Sequence, residues 1–435
     1  MSDLLKFAQE AVEKGKAAGA QGVWASASKS RSVDFQHRDG KLEKVQESAS
    51  RGLNVQVWVD GRYSSASTTD FARLDGFLAE VIALTRALQP DPARELPDPK
   101  LFEGRAAVEL ELTDPAVAAV TEDERLAALA EMDQVGHGHS SVLSVTTGWS
   151  TEETWQAMAS SNGFAGTHAG TQCWYGCDVT VKDEGDKRPE GWHWVGGRWR
   201  AGLPAPKAVA EEALQNAILR LGATKGPTRK GLLIVDPRAG GNLVNRLLSA
   251  ANAQSVQQGR SFWADRIGKK AVSDKLTVTD DPLLVRGLAS RLFDGEGIAA
   301  KAMPVIDKGA LANLYVDTYY GKKASMSPTT GSPSNRVIAP GKRDLAAVLG
   351  AAKQAVYVTS WLGGNHDPTT GDFSLGLRGH LVEKGKVGAP IGEMNVTGNL
   401  IDLFAGLVEV GNDPWPYASL RTPTLVFDGV SFSGA

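Results

Sequence analysis

The sequence has almost no cysteine: Cys173 and Cys177 are the two in 435 residues. A disulfide framework is excluded, so stability has to come from packing. The chain also lacks any uninterrupted apolar run near the roughly 18 residues of a membrane-spanning helix. Neither charge is in surplus, since 47 Lys and Arg face 50 Asp and Glu for a formal net charge of −3. No block of five or more like charges breaks that balance. Nucleic acid is therefore excluded as a partner, because binding a phosphate backbone needs a concentrated basic face. The first residues, MSDLLKFAQEAVEKGKAAG, alternate apolar and charged side chains at helical spacing and do not form the apolar core of a signal peptide. A cytoplasmic location is expected.

What is present is the make-up of an ordinary globular protein, with 42% apolar and 22% charged residues. The length allows two or three domains. Apolar spacing predicts a helix over 3–19, with Leu4, Leu5, Ala8, Ala11 and Val12 on one face. Alternating Val and aromatic residues then predict strands at 22–27, 32–37, 41–46 and 52–59. Asp39-Gly40 and Asp60-Gly61 mark hairpins, because glycine tolerates the positive φ of a tight turn. A second helix covers 71–88 and stops before Pro90. The segment 89–99 holds four prolines in eleven residues, which forces an extended path over the surface. Helices are expected at 115–134, starting from Thr113-Asp114-Pro115, and at 207–221. Strands at 141–148, 155–160 and 172–182 lie between them.

Around 222–230 the helix gives way to GATKGPTRKG, rich in small and basic turn residues, and a domain boundary is expected there. Beyond it come a strand at 232–236, a helix at 239–253 and many short β-like runs, among them 379–382, 393–397 and 424–427. The expected class is α+β. Residues 1–225 would form an N-terminal α/β domain of mixed sheet and helices, and 226–435 a mostly antiparallel β domain.

Chemistry-bearing motifs are sparse. No HExxH or HExxxH occurs among the seven histidines, His37, His137, His139, His168, His193, His366 and His380. His137 and His139 form an H-x-H pair in the loop GHGHS, which would need a third ligand from elsewhere and reads more readily as a solvated loop after a helix. Cys173 and Cys177 are too far apart for a C-x-x-C site. On a strand they share one face, as two buried and inert thiols would. Ser26 and Lys29 match S-x-x-K without the companion motifs of a lactamase. Trp174, Trp192, Trp194 and Trp199, beside Tyr175, could line a groove for peptide side chains or pack across a twisted hairpin. The glycine-rich stretch 363–399 could receive an extended ligand as an added strand or simply form consecutive hairpins.

Several segments, taken in order, resemble one family. DGKLEKVQESASRGLNVQVWVDGRYSSASTTD near the N-terminus, LTVTDDPLLVRGLASRLFDGEGIAAKAMPVIDKGAL at 276–311, then GSPSNRVIAPG, GDFSLGLRGHLVEKGKVGAPIGEMNVTGNL and VGNDP look like the signatures of the TldD/PmbA proteins. The resemblance spans nearly the whole chain. In the TldD branch it implies a zinc protease with HExxxH on a helix and a C-terminal cysteine on the metal. Here the equivalent helix reads GGNLVNRLLSAANAQS, residues 240–255, with neither His nor Glu, and the C-terminal tail holds no cysteine. The chain is thus similar to the PmbA branch, also called TldE, whose members look like partner subunits of a TldD-type protease.

That resemblance implies a two-domain architecture and a dimer, either a heterodimer with a TldD-like subunit or a homodimer. Zinc is expected in a TldD-type partner and no cofactor in this chain. A small unfolded peptide would lie as a strand in an enclosed cavity, with Ser334, Asn335, Asp372, Phe373 and Ser374 shaping the cavity or the interface. No catalytic residue and no metal ligand is carried over. Two other readings stay open. One is an independent metallopeptidase built on His137, His139 and a carboxylate; the other is a peptide-binding module without protease activity.

Overall fold

The computed structural model describes residues 2–434. Helix α1 (Ser2–Ala17) leads into β1 (Gly22–Arg38), which returns as β2 (Lys41–Val59) and again as β3 (Arg62–Thr68). Both turns fall where the Asp-Gly pairs predict them. Asp39 and Gly40 have φ of 49° and 74°, and Asp60 and Gly61 have 50° and 72°, the left-handed pairing that two-residue hairpins demand. The four short strands expected here are two long ones. Polar residues that read as breaks keep pairing: Ser30 sits opposite Ser50 and Arg31 opposite Ala49. A 2.8 Å hydrogen bond between the Ser30 and Ser50 hydroxyls and a 2.8 Å ion pair from Arg31 to Glu47 carry the ladder through.

The chain continues through α2 (Leu74–Arg86), α3 (Pro115–Ala118), α4 (Glu122–Gly136), β4 (Val142–Ser160), β5 (Ala165–Val181), β6 (Glu190–Gly197) and α5 (Pro206–Ile218). The single helix expected over 115–134 is two. Thr121 restarts it with a capping box, its hydroxyl accepting from Glu124 N while Glu124 accepts from Thr121 N. The six strands run in the order β3-β2-β1-β4-β5-β6, and every pairing is antiparallel. The sheet is therefore simpler than the mixed one expected, because its neighbours are joined by hairpins and the helical segment from α2 to α4 returns the chain to the free edge of β1. Leu53, Val55, Val57 and Val59 point alternately inward against α1 and α2, while α4 and α5 cover the other half of the same face.

The second half begins with β7 (Thr224–Lys225), β8 (Arg229–Val235), α6 (Pro237–Ser249), α7 (Ala253–Gln257), β9 (Val278–Asp280), β10 (Met303–Asp307) and β11 (Ala310–Leu311). It continues through α8 (Thr318–Ala324), β12 (Arg336–Ile338), α9 (Leu345–Ala351), β13 (Gln354–His366), β14 (Asp372–Glu383) and β15 (Lys386–Asn399). It ends with α10 (Leu400–Ala405), β16 (Leu407–Val410), β17 (Leu420–Arg421) and β18 (Leu425–Ser433). Seven strands form one sheet in the order β16-β18-β8-β13-β14-β15-β7, and β18 also pairs with β15, closing five of them into a ring. The parallel pairs are β8 with β13, β7 with β15 and β12 with β17; the other pairings are antiparallel. Leu243, Leu247, Trp263, Phe404 and Phe427 fill the core between the ring, α6 and α10. The whole is the α+β fold expected. Among the described residues no helix is long and apolar enough to cross a membrane. The two halves meet through Trp24, Met158 and Phe164 on one side and Phe293 on the other.

Candidate functional site

Helix α6 is built from a sequence with two glycines at its start and leucines at helical spacing. Ala239, Gly240, Leu243, Val244, Leu247 and Leu248 are buried, and Gly240 lets the helix approach Thr422, whose Cγ2 would lie 2.4 Å from an added Cβ. The opposite face presents Asn242, Asn245, Arg246 and Ser249. Arg246 Nε donates to Asn242 Oδ1 at 2.9 Å, its Nη1 lies 2.9 Å from His366 Nδ1, and its Nη2 reaches Gly364 O at 3.3 Å.

Guanidinium has no acceptor, so His366 Nδ1 has to accept. The imidazole proton therefore sits on Nε2, which faces Ser249 Oγ at 3.1 Å; that hydroxyl donates to Arg246 O at 2.8 Å. Burial, and then the Arg246 charge, hold His366 below the usual histidine range. Its one lone pair is spent on a fixed cation. These residues do not fit a zinc ion, which takes neutral imidazole, thiolate or carboxylate donors. Among the described residues no group of three or more His, Cys, Asp or Glu side chains converges to hold a metal.

The other motifs resolve as follows. His137 caps α4 and lies 3.5 Å from Asp39 and 3.9 Å from Asp133, whereas His139 is turned onto Ser141, 2.7 Å from its hydroxyl. Cys173 and Cys177 are free and fully buried on one face of β5, and burial pushes both thiols up to about 12, which makes them inert at neutral pH. Ser26 and Lys29 lie three apart on β1, so they point to opposite faces of the sheet. The tryptophans pack across strands: Trp194 lies over Gly176 and Gly148 and Trp174 over Gly196, each within 2.5 Å of where a Cβ would sit. Trp199 donates to Glu111 O.

The five residues named from the resemblance fall into two groups. Ser334 and Asn335 are 2% and 1% exposed. Ser334 donates its hydroxyl and its N–H to the Asp280 carboxylate. Asn335 holds the 281–290 loop, donating to Asp281 O at 2.9 Å and Ser290 Oγ at 2.8 Å while accepting from Ala289 N at 2.9 Å. Asp372, Phe373 and Ser374 open β14, with Asp372 and Ser374 exposed and Phe373 in the core. Among the described residues no hydrogen bond joins the two groups.

A site that motif reading missed lies between the N-terminal and C-terminal halves of the chain. Two cavities of about 410 and 530 Å³ share Arg220, Thr359, Arg378 and His380 as walls. Arg220 follows α5, and Arg378 lies on β14 opposite Ser360 on β13. The wall is tied together by Asp236, which accepts from Tyr357 Oη at 2.5 Å and from Arg238 at 2.9 and 3.1 Å, while Arg238 reaches across the boundary to Glu212 at 3.1 Å. Burial and the Asp236 charge push the Tyr357 hydroxyl up, so it stays a donor. Arg220 donates to Glu190 O and, at 3.4 Å, to Ser360 Oγ.

Comparison with known proteins finds matches along most of the chain. Residues 25–87 match the sequence profile of PmbA/TldA metallopeptidase domain 1, 115–221 that of the central domain, and 228–434 that of the C-terminal domain. Metalloprotease PmbA of Escherichia coli is 26% identical over 99% of this chain and 96% of its own length. A crystal structure from Bacteroides thetaiotaomicron, described as a candidate modulator of DNA gyrase, is 34% identical and superposes with a TM-score of 0.95 over 99% of this chain and 98% of that one. TldE from Thermococcus kodakarensis shares the fold, with a TM-score of 0.86 at 18% identity over 98% of this chain and 100% of its own. The chain belongs to the PmbA/TldD metallopeptidase family, on the PmbA (TldE) branch that lacks the HExxxH zinc motif.

Proposed function

We propose that this chain is the non-catalytic, TldE-type subunit of a TldD-type zinc metallopeptidase that binds and processes small unfolded peptides. The observation that carries the reading is the polar face of α6, where amide, guanidinium and hydroxyl groups stand and the neighbouring His366 is engaged by Arg246. No side chain there can activate water through zinc. The partner supplies zinc, and this chain supplies wall and backbone for a peptide bound as an added strand, a mode that tolerates varied sequences. Asp372 and Ser374 shape the chamber or the interface directly, whereas Phe373, Ser334 and Asn335 act by fixing the segments that bear it.

The test is metal analysis and peptidase assay of the purified chain, alone and mixed with an HExxxH-bearing relative. Expected are less than stoichiometric zinc and no cleavage alone, with a gain of activity on mixing. A stoichiometric transition metal in the lone chain, with activity lost on His139→Ala, would establish the independent hydrolase instead. Peptide affinity without cleavage in any mixture would favour the binding module.

A further inference from the structure

We infer that the cleft between the domains is a carboxylate subsite, in which the Arg220 and Arg378 guanidiniums receive the C-terminal or acidic side-chain carboxylate of a bound peptide. That the ligand is a peptide rests on the function proposed above; that the site takes an anion rests on the cleft alone.

The first observation is an imbalance. The 410 Å³ cavity is walled by Lys187, Arg188, Arg220, Lys225 and Arg378, against Asp183 and Glu393. Of the two acids, Asp183 is spent on Gly222 N at 3.0 Å, and Glu393 stands 4.0 Å from Lys225. Arg188 and Lys187 donate to backbone carbonyls. Arg220 has a carbonyl and a hydroxyl, and the Arg378 guanidinium has no hydrogen bond or ion pair among the described residues. Two guanidiniums thus face one cavity without a carboxylate within ion-pair distance of either.

The second observation is the contrast with Arg238 in the same wall. It is chelated by Asp236 and paired with Glu212, the arrangement a buried cation adopts when its role is to hold the fold. Arg220 lacks that relief. Burial, then the like charges of Arg378 and Arg238, outweigh the opposing charge of Glu190 and pull its guanidinium down to about 10, still cationic at neutral pH. Like charges brought together out of water are costly until an anion joins them, and two guanidinium forks match the planar geometry of a carboxylate.

The third is placement. Arg220 comes from the N-terminal half and Arg378 from the C-terminal half, so one bound carboxylate bridges the domains. Thr359 and Ser360 add hydroxyls beside it, and Trp192 and Trp361 give the 530 Å³ cavity apolar walls for the rest of the peptide. Both volumes lie in the range of small-ligand pockets.

The test uses the intact chain and its tryptophan fluorescence, with Trp192 as a reporter 42% exposed at the site. Three probes are titrated: acetyl-Ala-Ala-Ala-Glu with a free C-terminus, its neutral counterpart acetyl-Ala-Ala-Ala-Gln-amide, and inorganic phosphate. Expected is binding of the acidic peptide at least about tenfold tighter than the neutral one, the weight of one charge-assisted contact. Arg378→Ala and Arg378→Gln remove no hydrogen bond from the fold, and each should erase that preference while leaving circular dichroism unchanged. Equal affinity for both peptides, no binding of either, an unchanged preference in both variants, or saturation by phosphate alone would overturn the proposal. Activation of an HExxxH partner is measured separately. If the preference persists without activation, the subunit reading fails and the subsite stands; activation without the preference has the opposite meaning.

Discussion

Replacing Glu296 with glutamine should make the protein more stable at alkaline pH and remove a pH dependence that the wild type carries. Glu296 is half-buried, and its Oε2 accepts from Thr318 N at 2.8 Å and Thr318 Oγ1 at 2.9 Å. Burial pushes its carboxyl up to about 7, the negative Asp294 and Asp317 add to the rise, and the Thr318 hydrogen bonds pull against it. Folded protein therefore holds a proton there that the unfolded chain releases near the ordinary glutamate value. Between about pH 4.5 and 7 the native state binds more protons than the unfolded state, so stability falls as pH rises through this window. At about 1.4 kcal/mol per pH unit the full loss is about 3 kcal/mol, and partial solvation reduces it to about 2 kcal/mol. Glutamine keeps an oxygen for Thr318 and never ionises. Glu296→Gln should match wild type near pH 4, below that window, and exceed it by about 2 kcal/mol at pH 8. For a domain of about two hundred residues this is a melting temperature about 4–8 °C higher. Differential scanning calorimetry at both pH values checks it. A variant equal to or below wild type at pH 8, or the same difference at both pH values, would show that the fold does not raise the Glu296 carboxyl and that the reasoning is wrong.

Other perturbations follow from close contacts in the fold. Gly191→Ala places a Cβ 2.1 Å from Ala217 N and 2.5 Å from its Cα, so α5 has to leave β6; a loss of about 3 kcal/mol is expected by denaturant titration. Asp236→Ala strips the cap of α6 and leaves Arg238 and Tyr357 without their buried acceptor, which should cost about 3–5 kcal/mol, with Asp236→Asn milder in the same assay. Arg246→Ala frees His366, whose NMR titration midpoint should move up toward the ordinary histidine value because the repelling charge is gone; an unmoved midpoint would mean the contact is not made in solution.

How much of this was legible in the sequence depends on the range of the interaction involved. The Asp-Gly turns were readable because positive φ is a local demand met at Asp39-Gly40 and Asp60-Gly61. The one-sided burial of Cys173 and Cys177 follows from the two-residue period of a strand. Strand length was not readable, since Ser28 to Arg31 carry no apolar pattern and are held by cross-strand partners alone. Helices α8, α9 and α10 are six or seven residues long, too short for a helical period; their Asp317, Asp344 and Asn399 caps are the one local sign they leave. Arg220 and Arg378, far apart in sequence, come to line one cavity only in the assembled fold, and each alone reads as a solvated surface cation.

The missing zinc motif on α6 is best understood as a replacement and not as a gap. The apolar face of the helix keeps the leucine spacing needed to pack on the ring of strands. Its polar face closes on itself, with Asn242 accepting from Arg246, Arg246 donating to His366, and Ser249 standing between His366 and the helix backbone. Each of these four side chains has a partner in the circuit, so the face is stable without a metal. The circuit also carries a fixed positive charge, which repels a divalent cation at this helix. Restoring a metal site would therefore take removal of Arg246 as well as the introduction of ligands, since a histidine placed beside an intact guanidinium would still have that charge next to its lone pair.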